Sequence, residues 1–475
     1  RDRSVSRGLG DVYKRQLFYW ADLNRGREAL SPFILPYNLK IMKLSCYNIF
    51  HQYKNLYSGI NLMSGMKIYL QATDYERYIQ NGLTDDSSLY ADLVTGGFLV
   101  EDNVDEYARL LHRRHYEVFY NNNSFQLTVL PTLLCNFKCW YCYEKHIDSI
   151  MSQDTMERVR QYVNHIIKTH PIFNLHLDWF GGEPLMYFNE VVKPISLYIK
   201  DICREHGLSF VNTITTNGYL IDADVIAGFN EIELSRFQIT LDGYREVHNK
   251  VRFEKRGEDS YTRIIDNINN ICCNVTDVSI NIRINYTNKN IAGIGQIVND
   301  IFPENRSKIY FTFQRVWQTR DIEDEASIER ELEQQIEYIR QQGVQVNYNK
   351  TQYCAGVRCY ADVVNQIVVN FDGTLFKCTA RDFATHKASV GYLNEKGEPV
   401  WNENYYKYTR QPIFDNPKCR ECKYVPVCLG TCSQKFVENG TDAIMAECNP
   451  EEWEESMQEE LLQNLYDYIT QRQNP

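Results

Sequence analysis

The sequence predicts an α/β protein whose central part is a partial, TIM-like (β/α)6 barrel that stays open on one side. From Ser124 onward, short runs rich in β-branched and aromatic residues alternate with longer segments of helical periodicity. Such alternation is typical of parallel strands joined by right-handed helical crossovers. Six repeats of this unit suit an open barrel, and in barrels of this kind the loops after the strands carry the chemistry.

The strand and helix candidates of the barrel follow one another in chain order. Each strand candidate is a short apolar or β-branched run, and helix candidates end where a breaker follows, as at Gly207. The predicted strands are Phe125–Leu130, Asn174–Phe180, Phe210–Thr216, Arg236–Leu241, Val278–Tyr286 and Lys308–Phe313. The predicted helices are Asp154–Thr169, Glu190–His206, Asp222–Asn230, Tyr261–Cys273 and Ile291–Ile301.

Ahead of the barrel, residues 42–115 predict a small α+β domain. The first methionine is Met42, so residues 1–41 are expected to be a non-native or disordered extension. Short strands are expected at Tyr47–Phe50, Leu56–Met63 and Lys67–Gln71, followed by helices from Ala72 and Ser87 and by a turn and strand at Gly96–Val100.

Two segments follow the barrel, which we place at residues 120–320. Asp321–Gln342 is a polar, acidic helix candidate with little apolar face, so residues 321–345 are predicted to bridge two domains instead of packing in a core. Residues 346–475 are predicted to form a last domain of cysteine-rich loops, closed by an amphipathic helix at Glu454–Thr470.

Composition excludes several classes of function. The net charge is −11 and no Lys/Arg cluster is present, which argues against nucleic acid as a partner. No apolar run approaches the roughly 18 residues that a membrane helix needs, and no export signal is visible. The 15 cysteines occur at metal-like spacings, so we expect a reducing, cytoplasmic setting.

The most informative motif is Cys135-Asn-Phe-Lys-Cys139-Trp-Tyr-Cys142, which directly follows the first barrel strand. It supplies three thiolates and no obvious fourth ligand. Three ligands on a cuboidal iron–sulfur cluster leave one iron free for an external ligand, whereas a four-cysteine cluster is closed. The alternatives are a zinc site or a disulfide, although no second ligand pair follows nearby in the chain.

This spacing, with Tyr141 before the last cysteine, resembles the signature of radical S-adenosylmethionine (SAM) enzymes. The resemblance implies that Cys135, Cys139 and Cys142 hold a [4Fe–4S] cluster whose open iron binds the amino and carboxylate groups of SAM. Reductive cleavage of SAM would then yield a 5′-deoxyadenosyl radical. In that family the three cysteines are the catalytic cluster ligands.

Motifs at the ends of later strands resemble the family's SAM-binding segments. Gly181-Gly182-Glu183-Pro resembles the GGEP motif, in which glycines allow close approach of a ligand and a carboxylate complements the SAM ammonium. The resemblance also assigns polar SAM contacts to Asn217 and Thr240, and Arg252 is predicted to clamp a carboxylate. For each residue, an ordinary strand-end turn or a surface arginine is the alternative.

The remaining cysteine set resembles the SPASM domain, the auxiliary-cluster module of peptide-modifying radical SAM enzymes. The resemblance implies two auxiliary [4Fe–4S] clusters and three clusters in all. Because Cys354 lies outside the seven-cysteine core of that pattern, the first auxiliary cluster could instead keep an open iron. For Cys419–Cys432, a zinc ribbon is the alternative to a cluster. The implied ligands are Cys354, Cys359, Cys378 and Cys432 for one cluster, and Cys419, Cys422, Cys428 and Cys448 for the other.

These resemblances favour an enzyme that matures a ribosomally made peptide through a thioether or another side-chain bond. Its expected partners are a peptide or protein substrate with a leader segment, held by a winged-helix-like front domain, and a flavodoxin- or ferredoxin-type reductant. The first alternative is an anaerobic sulfatase-maturating enzyme, which places aspartate directly after the third auxiliary cysteine, where this chain has Thr379. The second is a non-catalytic iron–sulfur protein that transfers electrons or binds a partner.

Overall fold

A computed structural model describes residues 41–80, 83, 88–120, 123–255, 257–322, 325–348, 359–410, 416–430, 432–446 and 448–473. The expected extension, apart from Ile41, and the predicted ligand Cys354 lie outside these residues. The chain forms two compact units, of which the first comprises residues 1–43 and 101–104. Within that unit, Lys43 Nζ donates to the carbonyl oxygens of Asp102 and Val104, at 2.8 Å each.

The second unit begins with an antiparallel sheet in the order β2-β3-β4, each strand pairing along its full length with the middle one. The predicted order of strands and helices is found here, and a further helix precedes a π-helical turn at Tyr116–Tyr120. The strands are β1 (Met42–Leu44), β2 (Asn48–Tyr53), β3 (Leu56–Asn61), β4 (Lys67–Gln71) and β5 (Leu99–Glu101), and the helices are α1 (Ala72–Ile79), α2 (Ser88–Thr95) and α3 (Glu106–His115).

The barrel strands form the centre of an 11-stranded sheet and lie side by side in chain order, each parallel to the next. The mixed α/β fold with a large parallel sheet is thereby confirmed, and the strand limits differ from the predicted ones by at most two residues. The strands are β6 (Ser124–Val129), β7 (Asn174–Trp179), β8 (Ser209–Thr216), β9 (Leu234–Leu241), β10 (Ser279–Tyr286) and β11 (Ile309–Arg315).

Helices cover the outer face of these strands. Three of them begin with a side-chain cap, since the side chains of Ser152, Asp222 and Asp259 accept a backbone N–H from the first turn. The predicted helix after β10 is instead two 3₁₀ turns, Ile294–Asp300 and Pro303–Lys308. The helices are α4 (Gln153–Thr169), α5 (Lys193–Glu205), α6 (Ala223–Glu231), α7 (Arg245–Val251), α8 (Ser260–Asn274) and α9 (Glu325–Gln341).

Helix α9 corrects one prediction. Its sequence is acidic, and we expected it to bridge two domains, but a stripe of aliphatic side chains packs it into the main core. Ile328, Leu332, Ile336 and Ile339 are all at least 96% buried there. Four apolar residues at helical spacing form a stripe that is enough to bury one face of a helix, even when its other faces are polar. The helix then leads into β12 (Gln345–Asn347), which pairs in parallel with β11.

The C-terminal region contains more regular structure than the predicted cysteine-rich loops. Strand β13 pairs in parallel with β6 and so extends the barrel sheet, and three antiparallel strands follow it. The strands are β13 (Gln366–Val369), β14 (Thr374–Phe376), β15 (Gly391–Leu393) and β16 (Pro399–Trp401); the helices are α10 (Glu403–Thr409), α11 (Pro417–Arg420), α12 (Val425–Cys428), α13 (Ser433–Asn439), α14 (Asp442–Ala446) and α15 (Pro450–Gln473).

Helix α15, which contains the predicted closing helix, packs on the N-terminal sheet. Its Met457 and Leu461 are buried against Tyr47, Ile49 and neighbouring core residues. At the rim, Lys67 Nζ lies 2.7 Å from Glu460 Oε1. The two ends of the chain's second unit therefore share one small core.

Two further observations concern the whole described region. Among the described residues, no helix is both long and apolar enough to cross a membrane. Of the four cysteines outside the three predicted ligand sets, Cys203 and Cys272 are buried, whereas Cys46 and Cys273 are exposed.

Candidate active site at the mouth of the barrel

Cys135, Cys139 and Cys142 lie on the loop that follows β6, at the C-terminal end of the barrel strands. The Phe137 amide donates to Cys135 Sγ at 3.4 Å, and the Cys142 amide donates to the Cys139 carbonyl at 3.2 Å. Burial raises the pKa of all three thiols, to about 11 for Cys142, and the charge of Cys139 raises those of the other two further. Cys139 is thus near enough to both other thiols to affect their ionisation.

His146 is a neighbour of this loop that sequence reasoning missed. Its Nε2 lies 3.4 Å from Cys142 Sγ. Burial lowers the pKa of His146, so the imidazole is neutral at pH 7 and can donate its N–H to a thiolate. The only signal in the sequence is the spacing of four residues from Cys142, which is too common to stand out.

The glycines of the Gly181-Gly182 pair let the end of β7 approach the cysteine loop. Gly181 has φ +96°, and an added Cβ would lie 2.7 Å from the Thr132 carbonyl oxygen. A Cβ on Gly182 would lie 2.1 Å from the Leu134 oxygen, which also accepts the Glu183 amide at 2.8 Å. The contact seen in the structure is thus with the loop, and a contact with SAM stays a prediction.

Glu183 is buried and joins the ends of two strands. Its Oε1 accepts the Thr216 hydroxyl at 2.7 Å and the Leu185 amide at 3.1 Å, while Oε2 accepts the Asn217 amide at 2.8 Å. Burial raises the pKa of Glu183, and these hydrogen bonds oppose that rise. The carboxylate therefore fixes the segment after β8 against the segment after β7, and its predicted contact with the SAM ammonium is not tested.

Asn217 faces the cysteine loop from the end of β8. Its Nδ2 donates to Asn136 Oδ1 at 2.8 Å and lies 4.0 Å from Cys135 Sγ, and its Oδ1 accepts the Tyr219 amide at 2.9 Å. Asn217 was selected from the sequence, but Asn136 was not. Thr240, also selected, is buried at the end of β9 in register with Arg283 of β10.

Tyr141 is the hub of a buried polar network. Its hydroxyl donates to Asp242 and accepts from Arg252 Nη1 at 2.6 Å and from Asn285 Nδ2 at 3.2 Å. The Tyr141 carbonyl oxygen accepts Gln318 Nε2 at 2.7 Å. Residues at the ends of β9, β10 and β11 thereby hold the cysteine loop in place through hydrogen bonds. Sequence reasoning missed Asp242, Asn285 and Gln318 as parts of the site.

Arg252 is the cation of this network. Its Nη1 lies 3.5 Å from Asp242 Oδ2, and the carboxylate of Asp242 is fully buried. The charge of Arg252 lowers the pKa of Cys139, against the larger opposing effect of burial. Arg252 Nε is buried without a hydrogen-bond partner among the described atoms, so the side chain keeps a donor for a further ligand.

Cys359, Cys378 and Cys432 are brought together beside the barrel. Burial raises the pKa of the Cys359 thiol to about 11, and Asp362, Cys378 and Cys432 raise it further through their negative charges. Cys378 follows β14, and Cys432 precedes the first residue of α13. These are the described members of one predicted ligand set; the fourth, Cys354, lies outside the described residues.

The other predicted set is also brought together. Burial raises the pKa of Cys419 to about 11, and the charges of Cys428, Cys448 and Cys422 add to the rise. Cys419 and Cys422 pack partly buried against the core that α15 shares with the N-terminal sheet. Electrostatic influence therefore links described thiols within each of the two sets that the resemblance implies, and their assignment as cluster ligands stays a prediction.

Hydrogen bonds connect the SAM-type cysteine loop to the Cys378 loop. The Tyr143 hydroxyl donates to the Thr379 carbonyl at 2.9 Å, and the Thr379 amide donates to the Tyr360 hydroxyl at 2.9 Å. Asp382 reaches the same loop, since its Oδ2 lies 3.5 Å from Lys145 Nζ. Residue 379, which distinguishes this chain from sulfatase-maturating enzymes, therefore holds two loops together.

The donor sets fit iron–sulfur clusters by their chemistry. Within the described part of the chain, no three or more His, Cys, Asp or Glu side chains converge as ligands of a single metal ion. Cluster ligands need not converge in this way, because each thiolate of a cuboidal cluster binds a different iron. Thiols must lose their protons to bind iron, so ligation reverses the raised pKa values.

Comparison with known proteins agrees with this geometry. The sequence model of the Radical SAM superfamily matches residues 129–287, from the last residue of β6 to just beyond β10. A serine-type anaerobic sulfatase-maturating enzyme from Bacteroides thetaiotaomicron is 28% identical over 149 residues, which are 29% of this chain and 33% of that protein. The chain thus matches only a third of that relative's length.

Two longer matches concern most of the chain. The radical SAM cyclopropyl synthase TigE from Paramaledivibacter caminithermalis is 20% identical over 409 residues, or 79% of this chain and 82% of TigE. The structure of native anSMEcpe with bound AdoMet and the Cp18Cys peptide is 18% identical, with a TM-score of 0.50, and covers 73% of this chain and 97% of that one. The structural likeness shows the fold.

Enzymes of the radical SAM superfamily use a [4Fe–4S] cluster and SAM for radical reactions. The three thiols at the mouth of the barrel lie within the matched region, and their ligation of such a cluster stays a prediction. The chain therefore contains a radical SAM domain at residues 129–287 and is homologous to the anaerobic sulfatase-maturating enzymes.

Proposed function

We propose that this chain is a cytoplasmic radical SAM maturase that modifies a ribosomally made peptide. The observation that carries the proposal is the set of three neighbouring thiols on the loop after β6, inside the radical SAM domain. When bound, the cluster and SAM supply a 5′-deoxyadenosyl radical that removes a hydrogen atom from a substrate carbon. The product class is a thioether or another side-chain bond.

The chain's own residues position and shield this chemistry. Cys135, Cys139 and Cys142 would hold the cluster, and Tyr141 anchors their loop through Asp242 and Arg252. Arg252 has a buried Nε left to bind the SAM carboxylate. Burial of this network keeps water away from a reactive radical.

The C-terminal thiols support a reaction that releases electrons. Two closed clusters, one with Cys359, Cys378, Cys432 and Cys354, would accept an electron from an oxidised product. The second cluster would use Cys419, Cys422, Cys428 and Cys448. A flavodoxin- or ferredoxin-type protein would reduce the cluster that binds SAM.

The front domain is the proposed site for a leader peptide. Its sheet β2-β3-β4 has one face covered by α15, and β4 pairs only with β3 among the described strands. A peptide segment can add to such an edge through backbone hydrogen bonds. The structure of anSMEcpe contains a bound Cp18Cys peptide, which is consistent with a peptide partner.

Sulfatase maturation is the second candidate, favoured by the homology to sulfatase-maturating enzymes. An argument against sulfatase maturation is that Thr379 stands at the position where sulfatase-maturating enzymes have aspartate. Asp382 lies close by and contacts Lys145, so a carboxylate still reaches the cysteine loop. Conversion of a sulfatase-derived serine or cysteine peptide to formylglycine would favour this candidate over crosslinking.

The direct test is formation of 5′-deoxyadenosine by the anaerobically reconstituted full-length protein with SAM and dithionite. We expect this product from the unaltered protein. Cys135→Ala should abolish it and lower the iron content by about four atoms per chain. Cys273→Ala, at an exposed cysteine outside all three sets, is the matched control and should change neither quantity. Iron-loaded protein that forms no 5′-deoxyadenosine would contradict the proposal.

A further inference from the structure

The interior of the barrel is lined by polar side chains that water can reach. Along β7 and β10, every second residue is fully buried on the helix-covered face, and the residues between them are half-buried. The half-buried positions hold polar side chains such as Asp178, Asn281 and Arg283. Because these side chains keep part of their surface exposed, this face of the sheet borders an open chamber.

A belt of hydrogen bonds crosses the strands inside this chamber. Gln238 Nε2 lies 3.4 Å from Thr215 Oγ1, Asn281 Nδ2 donates to Gln238 Oε1 at 3.1 Å, and Thr312 Oγ1 donates to Asn281 Oδ1 at 2.8 Å. On the neighbouring strands, Gln126 Nε2 donates to Asp178 Oδ2 at 2.7 Å. The residues of the belt satisfy one another's hydrogen-bonding groups, and these hydrogen bonds fix the inner wall of the barrel.

Two arginines stand on either side of the belt. Arg236 lies two residues before Gln238 on β9, and Arg283 lies two residues after Asn281 on β10, where Gln238 and Asn281 are in register. Four residues of strand separate the two levels, which is roughly 13 Å. The two arginines therefore stand at two different levels of the barrel wall.

Neither arginine forms an ion pair among the described residues. Arg283 Nε donates to Asn285 Oδ1 at 3.2 Å, and this is its one hydrogen bond there. Burial lowers the pKa of His176 and raises that of Tyr310; the charge of Arg236 adds to the first shift and opposes the second, so Arg236 lies near both side chains. Both side chains are half-buried, so their unused donors remain accessible.

The chamber has little negative charge to offset them. Asp178 is the one carboxylate on the inner faces of β6–β11, and its Oδ2 already accepts a hydrogen bond from Gln126. The chain as a whole has a net charge of −11. A chamber with two guanidinium groups inside an acidic protein is thus a local site for anions.

We propose that Arg236 and Arg283 form a binding site for carboxylates of an acidic substrate segment in the barrel. The proposal rests on the proposed function and specifies its substrate class. A guanidinium binds a carboxylate through two parallel hydrogen bonds, which gives both affinity and orientation. At about 3.3 Å per residue, an extended peptide spans the two levels with acidic residues four positions apart.

The probe is a pentapeptide blocked at both ends, Glu-Ala-Ala-Ala-Glu, compared with Gln-Ala-Ala-Ala-Gln. Binding to the full-length, iron-loaded protein is measured by calorimetry without SAM or reductant, so the result does not depend on radical chemistry. We expect the acidic peptide to bind roughly tenfold more tightly than the amide peptide. Arg236→Gln and Arg283→Gln should each reduce this preference, and the double variant should remove it.

The controls separate binding from folding and from SAM recognition. Arg236→Lys and Arg283→Lys keep the charge and should retain part of the preference, while Arg109→Gln, at an exposed arginine of α3, should leave it unchanged. Equal binding of the two peptides, or a preference that survives the double variant, overturns the proposal. If Arg283→Gln weakens SAM binding and leaves the preference intact, Arg283 binds the SAM carboxylate and the proposal is wrong. Formation of 5′-deoxyadenosine, assayed separately, decides the proposed function.

Discussion

The three thiols at the mouth of the barrel and the seven described thiols of the C-terminal region are held in place by different means. At the barrel, the ends of β7 to β11 fix the cysteine loop through Glu183, Tyr141 and Gln318. In the C-terminal region, two of the elements that carry cysteines are helices of four residues, α11 and α12. Helices of that length are not stable alone.

This difference indicates what each site needs from its metal. The barrel site is arranged by hydrogen bonds of a large fold, so its loop can keep its geometry before a cluster binds. Around Cys419, Cys422 and Cys428, helices of four residues give little support of their own, so ligation would have to supply it. Ligation should therefore stabilise the C-terminal region more than the barrel.

Of the tests that compare the barrel site with the C-terminal thiols, removal of iron should have the largest effect. Anaerobic chelation is expected to lower amide protection in α11 and α12 by at least about tenfold, because their folding is coupled to ligation. Strands β8 and β9 should keep their protection, and they serve as the internal control in the same hydrogen-exchange mass spectra. Equal loss in both regions, or earlier loss in the barrel, would show that the comparison is wrong.

The ion pair between Arg114 and Asp362 is the strongest protein contact next to the C-terminal thiols. Arg114 Nη2 lies 2.6 Å from Asp362 Oδ2, both side chains are buried, and Cys359 is three residues away. Asp362→Asn should lower the free energy of unfolding by about 3–5 kcal/mol, since it removes the carboxylate from a buried ion pair. Urea unfolding measures this loss.

The matched control for Asp362 is Asp372, whose Oδ2 lies 2.9 Å from His386 Nε2 in a much more exposed pair. Asp372→Asn should cost less than about 1 kcal/mol. If the two variants lose similar stability, the buried pair does not anchor the region, and the C-terminal thiols would depend on ligation alone.

Sequence reasoning found the barrel because its strands and helices are long and periodic. The six strands, the three capped helix starts and the three-cysteine loop all follow from local patterns. Helix α9 was placed correctly but its packing was predicted wrongly, because its charged residues hide a stripe of four aliphatic ones. Strands β13–β16 have three or four residues each, too few for a period to show.

The site was predicted only in part for a related reason. Cysteine and glycine motifs can be recognised by their spacing, so the thiol groups and the Gly181-Gly182 turn could be selected from the sequence. The partners of Tyr141 come from β9, from β10 and from Arg252, more than 100 residues away in the chain. No local pattern pairs them, and only the parallel register brings them to one place.

The Tyr141 network tests whether the barrel site is arranged by the protein. Tyr141→Phe removes a hydroxyl that has three partners, including a buried carboxylate and a guanidinium, and should cost about 2 kcal/mol of unfolding free energy. Tyr143→Phe is the control: its hydroxyl contacts one carbonyl oxygen at the surface, so about 1 kcal/mol or less is expected. Denaturant unfolding of both variants measures these losses of unfolding free energy. A Tyr141 variant as stable as the Tyr143 variant would mean that the network does not hold the loop.

The smallest effect concerns a surface pair in the C-terminal region, between Lys423 Nζ and Glu454 Oε2 at 2.6 Å. Hydrogen bonds from Lys423 and Tyr424 lower the pKa of Glu454 to about 2. Because both side chains are more than one third exposed, Lys423→Gln should cost less than about 1 kcal/mol, and the cost should vanish in about 1 M salt. Lys396→Gln, at an exposed lysine, is the control for unfolding measured at both salt concentrations. A larger loss that persists in salt would mean that protein contacts, and not only ligation, hold the thiols of α11 and α12.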